Sequence, residues 1–368
     1  MKILIISNIP SPYRIDFFNE LGKHVDLTVV FEARNAKGIT FNWNVDSIKN
    51  FKVVFLKEGF INEKRINFKI LKYIKKNTYD HIIITSYVYL TEMAALLVLK
   101  ARRIPYYLEI DGGLIRQENI LKKSYKKLLI SNAKGYFSPS KLSDDYLVHY
   151  GAKRNLIFRY PFTSLNKSDI LEKVISNDEK KILKKELEIS EKKVILAVGQ
   201  FIHRKGFDVL INSSKDIDQD IGIYLVGGNP TNEYIELKNK YKLDNVYFEG
   251  FKSKEQLSKY FKVADLFVLP TREDIWGLVV NEAMSFGLPI ITTDNCIAGL
   301  ELIENDINGY LIPVDRDMEL TLKIQQLFSS EEKTRQISNA NLNKIKHYTI
   351  QNMVDVHLAV LETLDRRR

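Results

Sequence analysis

Short apolar runs rich in β-branched residues alternate, in two successive rounds, with segments of helical spacing. MKILIIS, DLTVVF, HIIITS, PYYLEID and GYFSPS make the first round; VILAVG, GIYLVGG, VYFEG, LFVLP and PIITT make the second. Between them lie amphipathic stretches such as RIDFFNELGKHV, TEMAALLVLKARR, FDVLINSSK and KEQLSKYFKVA. Runs this apolar have no face left for water, so they predict parallel strands covered by helices on both sides. Strands that pair in parallel need a helical crossover between them, and the intervening segments supply it. The 368 residues are long enough for two such units, and the lysine- and glutamate-rich stretch NDEKKILKKELEISEKK falls at the start of the second round. We therefore expect an α/β chain of two doubly wound domains, with a boundary near residues 165 to 180 and a last helix in MVDVHLAVLETLDRRR.

Composition excludes several classes. One cysteine, Cys296, allows no internal disulfide and no cysteine-rich zinc site, and the six histidines show no ligand spacing, so no metal is expected. The longest apolar run near the start, Ile3 to Ile6, is too short for a signal-peptide core, and the chain is expected to work in the cytoplasm. Charge is uneven. Residues 1 to 170 carry 28 Lys and Arg against 15 Asp and Glu, a net of +13, whereas the whole chain carries +9. A basic N-terminal half suits an anionic partner such as a phosphorylated acceptor or lipid headgroups, and solubility alone is the plainer account. The basic residues form no dense tract and no nucleic-acid module appears, so nucleic acid is not expected as a partner.

In an open parallel sheet, ligands lie beyond the carboxyl ends of the strands, which directs attention to the loops after VILAVG, GIYLVGG, VYFEG and LFVLP. After VILAVG, Gly199 ends the strand and Gly206 starts a helix, leaving His203, Arg204 and Lys205 at the turn. Two cations beside a helix N-terminus suit a diphosphate, Arg204 through its fork and Lys205 as a point charge; a solvated basic turn fits the same letters. Gly227 and Gly228 let backbone approach a ligand. In DIWGLVVNEAMSFGLPIITT, Gly277 and Leu278 open a helix that Gly287 and Pro289 stop, placing Asp274 in the preceding loop and Glu282 within the helix. Local rules read these two carboxylates either as a cap and a surface charge or as the border of an anion site at a helix N-terminus.

The ordered set QFIHRKGFDVLI, LVGGNP, VYFEGF, LFVLPTRED and DIWGLVVNEAMSFGLPIITT, followed by NGYLIPV, closely resembles the donor domain of retaining glycosyltransferase family 4 over about residues 190 to 315. The resemblance implies the GT-B fold: two Rossmann-like domains facing a central cleft, here residues 1–168 for the acceptor and 169–350 for the donor, with helix 351–368 packing back on the first. It implies transfer of a hexose or N-acetylhexosamine from a UDP-sugar to a saccharide, with retention, without a metal, in assembly of a surface polysaccharide such as capsule or O-antigen. Carried over residue by residue, Asp274 contacts the donor sugar and Glu282 the ribose, Lys205 and Arg204 hold the diphosphate, and the N–H groups near Gly277 and Leu278 add to that clamp. Gly199 and Gly228 border the nucleotide, and the base sits by the loop holding Phe251. The family's usual residue at position 274 is Glu, so neighbouring Glu273 is a second candidate for the sugar contact. Gln200 stands where the family commonly has Arg.

In the first half, IPYYLEIDGGLIRQ puts Asp111 at a strand's carboxyl end, where many relatives carry His. A carboxylate there suits an acceptor hydroxyl or the donor sugar, and an Asx cap of the glycine turn also fits. Arg14 begins the first helix and is a candidate for the acceptor or a donor phosphate, with a surface salt bridge as the alternative. Two lysine-rich segments, KRINFKILKYIKK and LKKSYKKLLISNAK, are expected as helices with a basic face beside an apolar one. Such faces suit either docking at an anionic membrane surface, where a lipid-linked acceptor would reside, or core packing with a solvated lysine edge.

Overall fold

A computed structural model describes residues 1–35, 47–61 and 64–365. The chain forms two compact units, Met1–Ser164 with Thr349–Arg368, and Leu165–Tyr348.

The first unit contains β1 (Lys2–Ser7), α1 (Pro12–Leu21), β2 (Asp26–Phe31), β3 (Lys52–Phe55), β4 (His81–Ile84), α2 (Leu90–Ala101), β5 (Tyr107–Glu109), α3 (Ile120–Ile130), β6 (Gly135–Ser138), α4 (Lys141–His149) and β7 (Ile157–Arg159). Its strands form one sheet in the order β3-β2-β1-β4-β5-β6-β7, and every pairing is parallel. Ile5 lies between Val29 and Ile83 in register, and all three are fully buried. The continuous apolar strands are thus explained by cover on both faces. Pro12 at the first helical position starts α1, because its missing N–H would have had no partner there. Phe17, Phe18 and Leu21 then point into the core.

Two edge strands, β3 and β7, had no counterpart in the sequence reading, and both are short and only partly buried. The segment KRINFKILKYIKK also departs from expectation. It forms a single 3-10 turn over Phe68–Lys72 instead of an amphipathic helix. The Asn67 side chain accepts from the Lys69 N–H and donates to the Leu56 carbonyl, local bonds that compete with helix extension. Ile70 and Ile74 are buried beneath it.

The second unit runs α5 (Asn177–Glu186), β8 (Lys193–Val198), α6 (Phe207–Ser214), β9 (Ile221–Val226), α7 (Asn232–Lys240), β10 (Val246–Glu249), α8 (Lys254–Val263), β11 (Leu266–Leu269), α9 (Leu278–Ser285), β12 (Ile290–Thr293), α10 (Ile297–Leu302), β13 (Gly309–Ile312), α11 (Asp317–Phe328) and α12 (Glu331–Ile345). Its sheet order, β10-β9-β8-β11-β12-β13, is the doubly wound Rossmann order. The order reverses between β8 and β11, so the loops after those two strands flank the crevice where such sheets bind ligands. A last helix, α13 (Ile350–Asp365), belongs to the first unit and packs on α1, where the His357 ring lies 4.9 Å from Phe17 and 4.1 Å from Phe137.

Candidate functional site

The loop after β8 makes a short 3-10 turn over His203–Lys205 and closes on Gly206, whose φ of +66° is left-handed. A Cβ at Gly206 would stand 2.0 Å from the Pro270 carbonyl oxygen, so only glycine lets this loop press against the end of β11. Hydrogen bonds then tie the two loops together. The Arg272 N–H donates to the Arg204 carbonyl at 2.8 Å, and the Thr271 hydroxyl donates to the same carbonyl at 2.9 Å. Arg272 itself forks onto Asp208 at 2.9 and 2.6 Å and reaches Asp315 at 2.8 Å. Arg272 carries no signal in the local sequence; its role depends on Asp208, 64 residues back in the chain, and on Asp315, which no local spacing reveals.

This framework brings the predicted residues together. Lys205 donates from Nζ to Asp274 Oδ2 at 2.5 Å, and Arg204 Nη1 stands 3.5 Å from Asp274 Oδ1. Arg204 also donates to the Glu273 carbonyl at 2.8 Å. Lys205 and Asp274 are each 13% exposed and Arg204 45%, so the lysine is the walled-in cation and the arginine the more open one. Gly199 lies beside the lysine stem: a Cβ there would meet Lys205 Cδ and Cε at 3.3 Å. Gly228 is left-handed at φ +135°, with open space where a Cβ would stand.

Gly277 precedes α9 at φ +100°, and a Cβ there would stand 2.9 Å from Cys296 Sγ. Gly277, the N-cap residue, has no side chain with which to cap the helix, and the Val280 N–H donates to its carbonyl at 2.8 Å, so the N–H groups of Leu278 and Val279 are the kind that donate to an anion. Behind the turn, the Trp276 indole donates to Asn281 Oδ1 at 2.9 Å, both residues being buried. Burial, together with the charge of Asp274, pushes the Cys296 thiol up to about 11, which makes it an inert wall. Glu282 is half-buried on α9, within the same element as Leu278. Phe251 follows β10 and is 56% exposed.

Asp111 and Arg14 lie in the first unit. Arg14 does not stand open to a phosphate: it is 3% exposed, and its guanidinium is forked between Glu109 and Asp111. The reason is its position on the buried face of α1, where a cation persists only if carboxylates surround it. Tyr13 donates its hydroxyl to Asp111 Oδ2 at 2.8 Å. Burial raises the Asp111 pKa above the usual carboxylate range despite the facing Arg14. For Glu109 burial pulls upward too, but the Arg14 charge and the His357 contact at 3.3 Å overcome it and leave the group at about 2. Asp111 is 34% exposed, so it is a carboxylate fixed by Arg14 and Tyr13 that still meets solvent.

Among the described residues, no cluster of three or more His, Cys, Asp or Glu could hold a metal ion, and no helix is long and apolar enough to cross a membrane.

Residues 178–344 match the family model described as "Glycosyl transferases group 1". An Anabaena protein, Alr3699/HepE, solved in complex with UDP, superposes over 100% of both chains with a TM-score of 0.79 at 18% identity. The chain has the GT-B fold. An uncharacterized glycosyltransferase of Methanocaldococcus jannaschii is 27% identical over 301 residues, covering 73% of this chain and 82% of that protein. The N,N'-diacetylbacillosaminyl-diphospho-undecaprenol alpha-1,3-N-acetylgalactosaminyltransferase of Campylobacter jejuni is 24% identical over 250 residues, 64% of this chain and 65% of that one. An uncharacterized protein of the Klebsiella pneumoniae cps region is 30% identical over 162 residues; this chain spans 42% of its length.

Proposed function

We propose that this GT-B chain transfers a hexose or N-acetylhexosamine from a UDP-sugar to a saccharide acceptor, with retention at the anomeric carbon and without a metal ion, in cytoplasmic synthesis of a surface polysaccharide such as capsule or O-antigen. The carrying observation is the convergence of Lys205, Arg204 and Asp274 at the switch point of the second sheet, beside the uncapped N-terminus of α9. In this reading Lys205 and Arg204 bind the diphosphate and stabilise the charge that grows on it as the sugar–phosphate bond breaks. The N–H groups after Gly277 add to that site, and Glu282 accepts from the ribose hydroxyls. Asp274 accepts from a donor-sugar hydroxyl, with Glu273 as the neighbouring alternative. Gly199 and Gly228 give the nucleotide close backbone approach, and the loop carrying Phe251 borders the base.

Asp111 serves the acceptor side, positioned by Arg14. The departing diphosphate accepts the proton of the attacking hydroxyl, so no separate protein base is required. The Campylobacter relative's name supports a lipid-diphosphate-linked saccharide as acceptor, and the UDP complex of the Anabaena structure supports UDP as the nucleotide. Calorimetry with UDP, GDP and ADP, followed by a UDP-sugar panel assayed for UDP release, tests the reading. The expected result is tighter binding of UDP than of GDP or ADP by the wild type, and a sharp loss of UDP affinity in Lys205→Ala; equal binding of UDP by Lys205→Ala would overturn it.

A further inference from the structure

Helix α3, ILKKSYKKLLI, buries very little of itself. Only Leu129 and Ile130, in its last turn, are buried, whereas Ile120 and Leu121 are each 82% exposed, Leu128 52% and Tyr125 43%. With about 100° of rotation per residue, Ile120, Ser124, Leu128, Leu121 and Tyr125 fall in one strip on the solvent side. Lys123 and Lys127 run along one edge of that strip and Lys122 along the other, and all three are exposed. The fourth lysine, Lys126, is engaged elsewhere: it lies 2.9 Å from Glu118 and donates to the Tyr150 hydroxyl at 3.2 Å. The helix carries no Asp or Glu. Its end is anchored, since Tyr125 donates to Met93 Sδ at 2.8 Å and Lys100 donates to the Leu128 carbonyl.

An exposed apolar strip with lysines on both edges is the pattern of a helix lying in a bilayer interface, the apolar side chains entering the acyl boundary while the lysine stems reach back to the headgroups. We propose that α3 docks the first unit on an anionic phospholipid surface, with Ile120, Leu121 and Leu128 inserting and Lys122, Lys123 and Lys127 pairing with phosphates. The charge of the region favours this occupant. Residues 1–170 carry a net of +13, so two copies facing each other through this strip would bring like charges together. The other lysine-rich segment does not share the role, because its turn at Phe68–Lys72 offers no such helical strip.

Flotation of the full chain with vesicles of phosphatidylcholine alone, or mixed with phosphatidylglycerol, tests docking without any sugar substrate. The wild type is expected to float with the anionic vesicles only, and less so as salt rises. Ile120→Ser combined with Leu121→Ser should lower partitioning at least about tenfold, since two inserted side chains leave the membrane. Lys123→Glu with Lys127→Glu should abolish the preference for anionic vesicles. All four positions are exposed, and unchanged melting and UDP binding will show that the fold is kept. Equal flotation by wild type and the apolar double variant overturns the proposal; so does a wild-type dimer, broken by that variant, that ignores vesicles. Loss of UDP-sugar transfer with flotation intact would refute the transferase reading and leave docking standing.

Discussion

Asp274→Asn should separate nucleotide binding from sugar transfer, with opposite signs. In the structure the Asp274 carboxylate already occupies Lys205 at 2.5 Å and stands 3.5 Å from Arg204. A phosphate oxygen taking the same ammonium from another side would lie about 5 Å from that carboxylate, given ordinary hydrogen-bond lengths. Two negative charges at that separation repel by about 2–3 kcal/mol at an effective dielectric of about 20–40. Salt and the partial opening of the site reduce this to about 1–2 kcal/mol, or roughly 5- to 30-fold in Kd. Asparagine keeps the shape and removes the charge. UDP without sugar should therefore bind about 5- to 30-fold tighter to Asp274→Asn, while transfer from UDP-sugar falls by at least about tenfold because the sugar contact is weakened. Titration calorimetry with UDP, paired with a UDP-release assay, reads both. Unchanged or weaker UDP binding would refute the argument that Asp274 and the diphosphate compete for Lys205.

The two cations should differ. Lys205→Ala, removing the enclosed charge, should weaken UDP about 10- to 100-fold, and Arg204→Ala, at an open position, only several-fold, both measured by calorimetry. Gly206→Ala should lower the melting temperature and weaken UDP binding, because a Cβ 2.0 Å from the Pro270 carbonyl forces the two loops apart at a cost of roughly 2 kcal/mol or more. An unchanged melting curve would contradict the close approach. Glu109 gives a pH signature. Its pKa falls from 4.5 to about 2 on folding, worth about 3 kcal/mol that is fully present above the unfolded value and lost as pH falls through about 2. Glu109→Gln should be less stable at neutral pH by about that amount, and the gap to wild type should close in urea titrations carried down toward pH 2.

The two Rossmann rounds were legible because parallel strands buried on both faces leave unbroken apolar runs, and the turn glycines mark where those runs end. The meeting of Lys205 and Asp274 was legible for a related reason: each follows a strand at a short distance, and the sheet order does the rest. What escaped the letters depended on distant partners. Arg14 read as a helix-start cation for a ligand or a surface salt bridge, and Glu109 and Asp111, 95 and 97 residues on, explain its burial. The 64–76 segment has helical spacing, yet Asn67 binds the backbone around it. In α3 four lysines look alike, and the contacts of Glu118 and Tyr150 set Lys126 apart.

The placement of α13 bears on how the protein is made. The first unit is synthesised first but lacks its final twenty residues until the entire second unit has emerged. Until then the aromatic faces of Phe17, Phe137 and Tyr160 have no imidazole to cover them, and Glu109 has one fewer partner. The second unit, continuous from Leu165 to Tyr348, can close on its own in the meantime. On the ribosome the order of completion is thus the reverse of the order of synthesis, and a chain cut at Tyr348 would expose in its N-terminal part a surface that α13 otherwise covers.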